Sequence, residues 1–203
     1  MYIPKFFREQ DAAQILAFLR QNSFAALVTY DGERPIATHL PVEIVGDPGG
    51  PLTILSHMAR ANPQWRTFGD REVLLIFQGA HTYISARWYN HVNVPTWNYT
   101  MVHLYGRVRE LAGQDLYALL DRLVQKHEPG TSYRLDTLPQ DFVQKEIRGV
   151  FGFAVEVTRV EAGYKHSQNR NDEDFGRIVH ELDQRPDEAS HDVANAMRAR
   201  RRT

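Results

Sequence analysis

The chain has 203 residues, enough for one domain or for one domain with a C-terminal extension, and 42% are hydrophobic, enough for a real core. With 24 basic and 25 acidic residues the net charge is −1, which excludes a globally basic surface for nucleic acid. Cysteine is absent, so disulfides, thiolate metal sites and cysteine nucleophiles are excluded, and a cytoplasmic location is compatible with that composition.

Met1 to Arg20 carries scattered charges and no apolar centre, unlike a signal peptide. Asp11 to Asn22 reads as a helix, with Ile15, Leu16, Phe18 and Leu19 on one side and Asp11 able to cap it. Phe24 to Tyr30 predicts a strand, and Asp31-Gly32 a tight hairpin turn. The return strand, Pro35 to Val45, contains Pro41, which removes a ladder donor and suggests an edge or a bulge. After the turn Gly46 to Pro51, a strand over Leu52–Ser56 leads through a turn into a short helix from Pro63 to Phe68. Glu72 to Gln78 predicts a buried strand that His81 to Ser85 extends or follows, and its run Val73-Leu74-Leu75-Ile76-Phe77 is too short to cross a bilayer, so no membrane partner is expected. Trp97 to Glu110 alternates with period two, and Gln114 to Lys126 carries leucines at helical spacing. A helix over Pro139–Ile147 and a strand over Gly149–Val160 follow. Beyond these, Asn171–Leu182 and Asp187–Arg202 read as surface helices or a frayed tail, and the arginines from Arg198 to Arg202 as a solvated, disordered terminus.

Six or so strands with hairpin turns and a few helices predict a mainly β (α+β) protein, an antiparallel barrel with peripheral helices. No GxGxxG or GxxxxGK[ST] occurs, so any nucleotide-like group must be held another way. His81, His91 and His103 are too dispersed to predict a metal centre, and no metal is expected. No catalytic nucleophile stands out, so no catalytic side chain is assigned.

The segment Ser56-His57-Met58-Ala59-Arg60-Ala61-Asn62-Pro63-Gln64-Trp65 carries the most chemistry. Asn62 reads as an N-cap and Pro63 as the first helical residue. A turn holding His57 and Arg60 then meets a helix N-terminus, a combination suited to phosphate. The plainer reading is a turn whose His and Arg face water. Other motifs are Thr38-His39-Leu40-Pro41, Gln78-Gly79-Ala80-His81-Thr82-Tyr83, Val94-Pro95-Thr96-Trp97-Asn98-Tyr99 and Lys165-His166-Ser167-Gln168-Asn169-Arg170.

Together with Met1-Tyr2-Ile3-Pro4, these collinear motifs make the chain similar to the PaiB family, FMN-binding split-barrel proteins labelled negative transcriptional regulators. The chain departs from that family at Ala80 and Ala86, where proline is usual, and in a shorter loop between Tyr89 and Val94. The resemblance implies a six-stranded split barrel over residues 1–170, with a C-terminal helical extension or tail over 171–203. It implies FMN as cofactor and a homodimer sharing the site between subunits. Ser56, His57, Arg60 and Asn62 would hold the phosphate, and Thr38, His39, Leu40 and Pro41 would run along the ring edge. Trp97, Asn98 and Tyr99, with Lys165 and Gln168, would close the site from the second subunit. Each has a plainer reading: Trp97 as core, His39 as a strand histidine, and the 165–170 segment as a solvated turn. Trp65 and Trp88 read as packing residues. A DNA partner rests on the family label alone. The remaining function classes are an FMN-dependent oxidoreductase and, more weakly, a haem-binding or haem-degrading relative.

Overall fold

The computed structural model describes residues 1–201. Six antiparallel strands close into a ring in the order β1-β2-β3-β6-β5-β4. They are β1 (Phe24–Tyr30), β2 (Pro35–Val45), β3 (Thr53–Ala59), β4 (Val73–Ile84), β5 (Thr96–Leu111) and β6 (Val150–Lys165). The helices are α1 (Ala12–Gln21), α2 (Gly113–His127), α3 (Gln140–Arg148), α4 (Asp172–Asp183) and α5 (Glu188–Arg201). This is the mainly β barrel with peripheral helices that the strand pattern predicts.

The chain forms two compact units, and β4, β5 and β6 each contribute residues to both. The first contains Ala12–Phe77 and Leu104–Val160. Strand alternation builds its interior: Ile54, Ser56 and Met58 of β3 are buried and pair in register with Val155, Phe153 and Phe151 of β6. The opposite face of the same strands lies under α2. Leu55 and Ala154 pack there with Leu111, Leu119 and Leu123. A β-carbon on Gly152 would sit 2.5 Å from Leu116 Cδ1 and 3.2 Å from the Leu111 carbonyl oxygen, so a larger residue there would force the Leu116 side chain of α2 to shift. Gly106 does the same for strand crossing, since a β-carbon there would sit 2.4 Å from the Glu156 carbonyl oxygen.

Pro41 is neither at an edge nor in a bulge. It ends the pairing of β2 with β1 (Phe24↔Pro41), and the pairing of β2 with β3 begins one residue later (Val42↔Ser56). The missing N–H falls where the strand changes partners, so β2 stays inside the ring.

The second unit contains Met1–Asp11, Gln78–His103 and the chain from Glu161 on. Ile84 and Tyr89 pack with Ile178 and Leu182 of α4 and with Val193, Ala194 and Met197 of α5. Asn171 caps α4 by accepting from Asp174 N at 2.8 Å. The arginine-rich end is no loose terminus: Arg198 pairs with Asp183, Arg200 with Glu9, and Arg201 with Asp172. Arg202 lies outside the described residues. Among the described residues no helix is long and apolar enough to cross a membrane.

Candidate functional site

In the first unit β3 includes Ser56, as expected, and runs on through Ala59, so His57 is a strand residue and not part of a turn. Alternation sends Ser56 inward, where it is fully buried and its hydroxyl donates to Pro41 O at 2.7 Å. His57 takes the opposite face, across from Gly152, and lines an apolar cavity with Pro41. Burial lowers its pKa and keeps the ring neutral at pH 7; its Nδ1 is buried without a hydrogen-bond partner. A neutral ring in an apolar wall offers a phosphate no positive charge.

Arg60 sits past the end of the strand. Its N–H donates to Gly149 O at 2.8 Å, and its half-exposed guanidinium reaches Glu110 only at 4.0 Å. Its guanidinium carbon lies 6.0 Å from the Trp65 ring centroid and 5.6 Å from that of Phe151. Trp65 stacks on Phe151 at 4.9 Å, so it is the packing residue expected from sequence, and it also gathers cations. Arg66 lies 5.3 Å from the same ring and has no carboxylate partner among the described residues. Sequence reasoning missed Arg66; the signal was a second basic residue in the same segment as Arg60.

Pro63–Thr67 is a single 3-10 turn and not an α-helix. Asn62 caps it as expected, accepting from Gln64 N at 3.0 Å. That bond uses the turn's exposed donor, so little helix dipole is left for an anion. Asn62 Nδ2 donates to Thr38 Oγ1 at 3.0 Å, and Thr38 Oγ1 donates to Gln64 Oε1 at 2.5 Å. Gln64 is the residue that sequence gave no sign of. It is 2% exposed, and its Nε2 donates to Leu27 O at 3.0 Å and Thr29 Oγ1 at 3.2 Å. Through Gln64 the turn carrying Trp65 and Arg66 is fastened to β1 and β2. On β2 itself, Leu40 is core, whereas His39 is exposed and stacks on Phe24 at 6.2 Å.

In the second unit Trp97 is 52% exposed, which removes the core reading. Its ring lies 6.1 Å from those of His81 and Tyr83, so the three form an exposed aromatic group. Trp88, by contrast, is partly buried against the helical core, as expected. Asn98 is fully buried and spends its amide on Ser167 Oγ (2.9 Å) and Met197 Sδ (3.4 Å). Tyr99 is half-buried. Lys165 Nζ donates to Thr96 Oγ1, and burial, then Arg170, lowers its pKa. Gln168 organises its own loop: Oε1 accepts from His166 N at 2.8 Å and Nε2 donates to Tyr164 O at 2.6 Å. Ser167 between them has φ 58°, the left-handed region. Thr100 Oγ1 meets His166 Nε2 at 2.9 Å, and burial lowers the His166 pKa to about 4.

These residues fit FMN in part. Arg60 and Arg66 supply largely unneutralised charge, and Asn62 keeps one amide hydrogen, whereas the Thr38 hydroxyl hydrogen is spent on Gln64 Oε1. The exposed ring of Trp97 suits a flavin face. Ser56, Leu40 and Asn98 have no side-chain atoms left to offer.

The family model described as "Putative FMN-binding domain" matches residues 1–159. The chain is 38% identical over 200 residues to "Protease synthase and sporulation protein PAI 2" of Bacillus subtilis (strain 168), covering 97% of this chain and 96% of that one. Among solved structures it is similar to the flavocytochrome Anf3 from Azotobacter vinelandii, at a TM-score of 0.66 and 16% identity over 86% of this chain and 78% of that one. It is also similar to the FAD and heme binding protein from Mycobacterium smegmatis, at 0.59 and 16% over 83% and 78%. At these identities the structural likeness shows the fold alone.

Proposed function

The chain belongs to the PaiB family of FMN-binding split-barrel proteins, and from that premise we propose that two copies share each flavin site and that the dimer works as a negative regulator of transcription. The observation that carries the site assignment is the pair of guanidinium groups, Arg60 and Arg66, gathered at Trp65 with no close carboxylate on Arg66. Together they match the double negative charge of a phosphate monoester. Asn62 adds an amide N–H beside the Thr38 hydroxyl that positions it, and the exposed outer face of β2 at His39 offers backbone and ring edge. Trp97, with Tyr83 and His81 beside it, would cover the flavin from the second copy, and Lys165 would add a partly buried cation. The cofactor, when bound, supplies one- or two-electron transfer at its ring system. The chain's own residues bind the phosphate end and exclude water from the ring.

The regulatory role rests on the family label and on the Bacillus relative's name, which ties that protein to protease synthesis and sporulation. Such a role places its work in the cytoplasm. Direct DNA contact through the C-terminal arginines is not supported, because Arg198, Arg200 and Arg201 already hold carboxylates.

The test begins with an absorbance spectrum of the purified protein and the mass of whatever heat releases. Flavin bands and FMN's mass are expected, with titration of stripped protein restoring one FMN per chain. A colourless protein that neither binds added FMN nor quenches its fluorescence defeats the site. DNA binding with sequence preference and a steep salt slope is expected of the regulator, and its absence at low salt defeats that role.

A further inference from the structure

The first unit holds a cavity of about 450 Å³ whose helical walls the flavin reading does not use. Its floor is the outer face of β2 and β3 at Pro41 and His57; its walls are α2 and α3, presenting Leu120, Val143 and Ile147. That volume lies within the range of sites for small molecules. The lining is mostly aliphatic and contains no lysine or arginine. Its charged groups are two carboxylates, Glu128 and Glu146, both on exposed residues and neither with an ion-pair partner among the described residues. The remaining ionisable groups in the lining are His57, His127 and Tyr133, and burial keeps His57 neutral.

We propose that this cavity binds a small apolar molecule carrying a single ammonium group, with its body between α2 and α3 and its charge at Glu128 and Glu146. Charge complementarity selects the occupant. An anion would meet two carboxylates and no cation in the lining, and a neutral molecule would gain no attraction from either carboxylate. The floor residues Pro41 and His57 lie on segments that the flavin reading also draws on, but the helical walls and both carboxylates belong to α2, α3 and the residue that follows α2.

The test uses three probes with one body: 4-phenylbutylamine, 4-phenylbutanol and 4-phenylbutyrate, titrated calorimetrically with FMN saturating. The expected order is amine, then alcohol, then carboxylate, with the amine at least about tenfold tighter than the carboxylate, as two nearby but solvent-screened charges give. Leu120→Trp should fill the cavity and abolish amine binding. Glu146→Lys, at an exposed position where folding is safe, should reduce or reverse the headgroup order. Equal affinity for the three probes overturns the proposal, as does amine binding that Glu146→Lys leaves unchanged or that FMN displaces. Failure of the flavin reading is seen separately, as absent flavin absorbance.

Discussion

Replacing Gln64 is the most informative perturbation of the fold beneath the proposed phosphate site. The side chain is 2% exposed and makes bonds to Leu27 O (3.0 Å), Thr29 Oγ1 (3.2 Å) and Thr38 Oγ1 (2.5 Å). Each such bond contributes about 0.5–1.5 kcal/mol net, and partners left buried add to the loss. Gln64→Ala should therefore destabilise by about 2–4 kcal/mol, which for a chain of this size lowers Tm by roughly 5–15 °C. Gln64→Leu keeps most of the volume and removes the same bonds, so it separates polar fastening from cavity formation; it should still lose at least about 1.5 kcal/mol. Urea denaturation followed by tryptophan fluorescence measures both. Trp65 follows Gln64 in the turn and stacks on Phe151, so FMN affinity should fall in both variants at temperatures where they stay folded. A Gln64→Leu protein as stable as the wild type would refute the view that Gln64 fastens the turn to β1 and β2.

Arg60→Ala and Arg66→Ala should each weaken FMN binding about 10- to 100-fold, as loss of one charge-assisted contact does, while Tm stays within about 2 °C because both residues are exposed. Flavin fluorescence quenching reads the affinity, and an unchanged value for both variants would move the phosphate elsewhere. The His166 pKa falls from 6.5 to about 4 on folding. The unfolded chain therefore takes up this proton first, so stability is fully present above pH 6.5 and is lost as pH falls toward 4, by roughly 3 kcal/mol. Denaturation midpoints across that window should fall in the wild type and fall less in His166→Leu; parallel curves would mean that His166 is not the group titrating.

The regular elements were legible because their periodicity is local. Leu116, Leu119 and Leu123 lie on one face of α2, and each is buried. The alternating residues of β5 behave likewise, Val102 and Leu104 being fully buried. What the sequence hid depends on contacts between distant residues. The sequence pattern ends β3 at Ser56, a polar residue at an inward position, whereas the strand continues through Ala59. The Ser56 hydroxyl is satisfied by Pro41 O across the strand pair, which no local window contains. The terminal arginines read as a solvated run because their carboxylates come from Glu9, Asp172 and Asp183. Gln64 looks like any polar residue after a proline until β1 and β2 close over it. In the segment proposed for the phosphate, the Asn62 cap is where the sequence puts it, whereas His57 belongs to β3 and faces away from Ser56.

Sharing of the flavin site between copies has a test that needs no structure of the dimer. The residues proposed for the phosphate, Arg60 and Arg66, belong to one compact unit, and the proposed aromatic cover, Trp97, to the other. Trp97 is exposed, so Trp97→Ala should weaken FMN binding while changing folding stability by less than about 0.5 kcal/mol. Suppose Arg60→Ala and Trp97→Ala proteins are mixed, unfolded and refolded together, so that the chains pair at random. If each site takes Arg60 from one copy and Trp97 from the other, a mixed dimer has one doubly defective site and one intact site. About a quarter of all sites should then regain wild-type affinity, since about half of the dimers are mixed. If each site is built within one chain, every site in the mixture carries one defect and none recovers. A titration of the mixture showing a tight phase near that fraction establishes the shared site. A single weak phase, with mixed dimers verified by affinity tags, rules it out while leaving FMN binding itself intact.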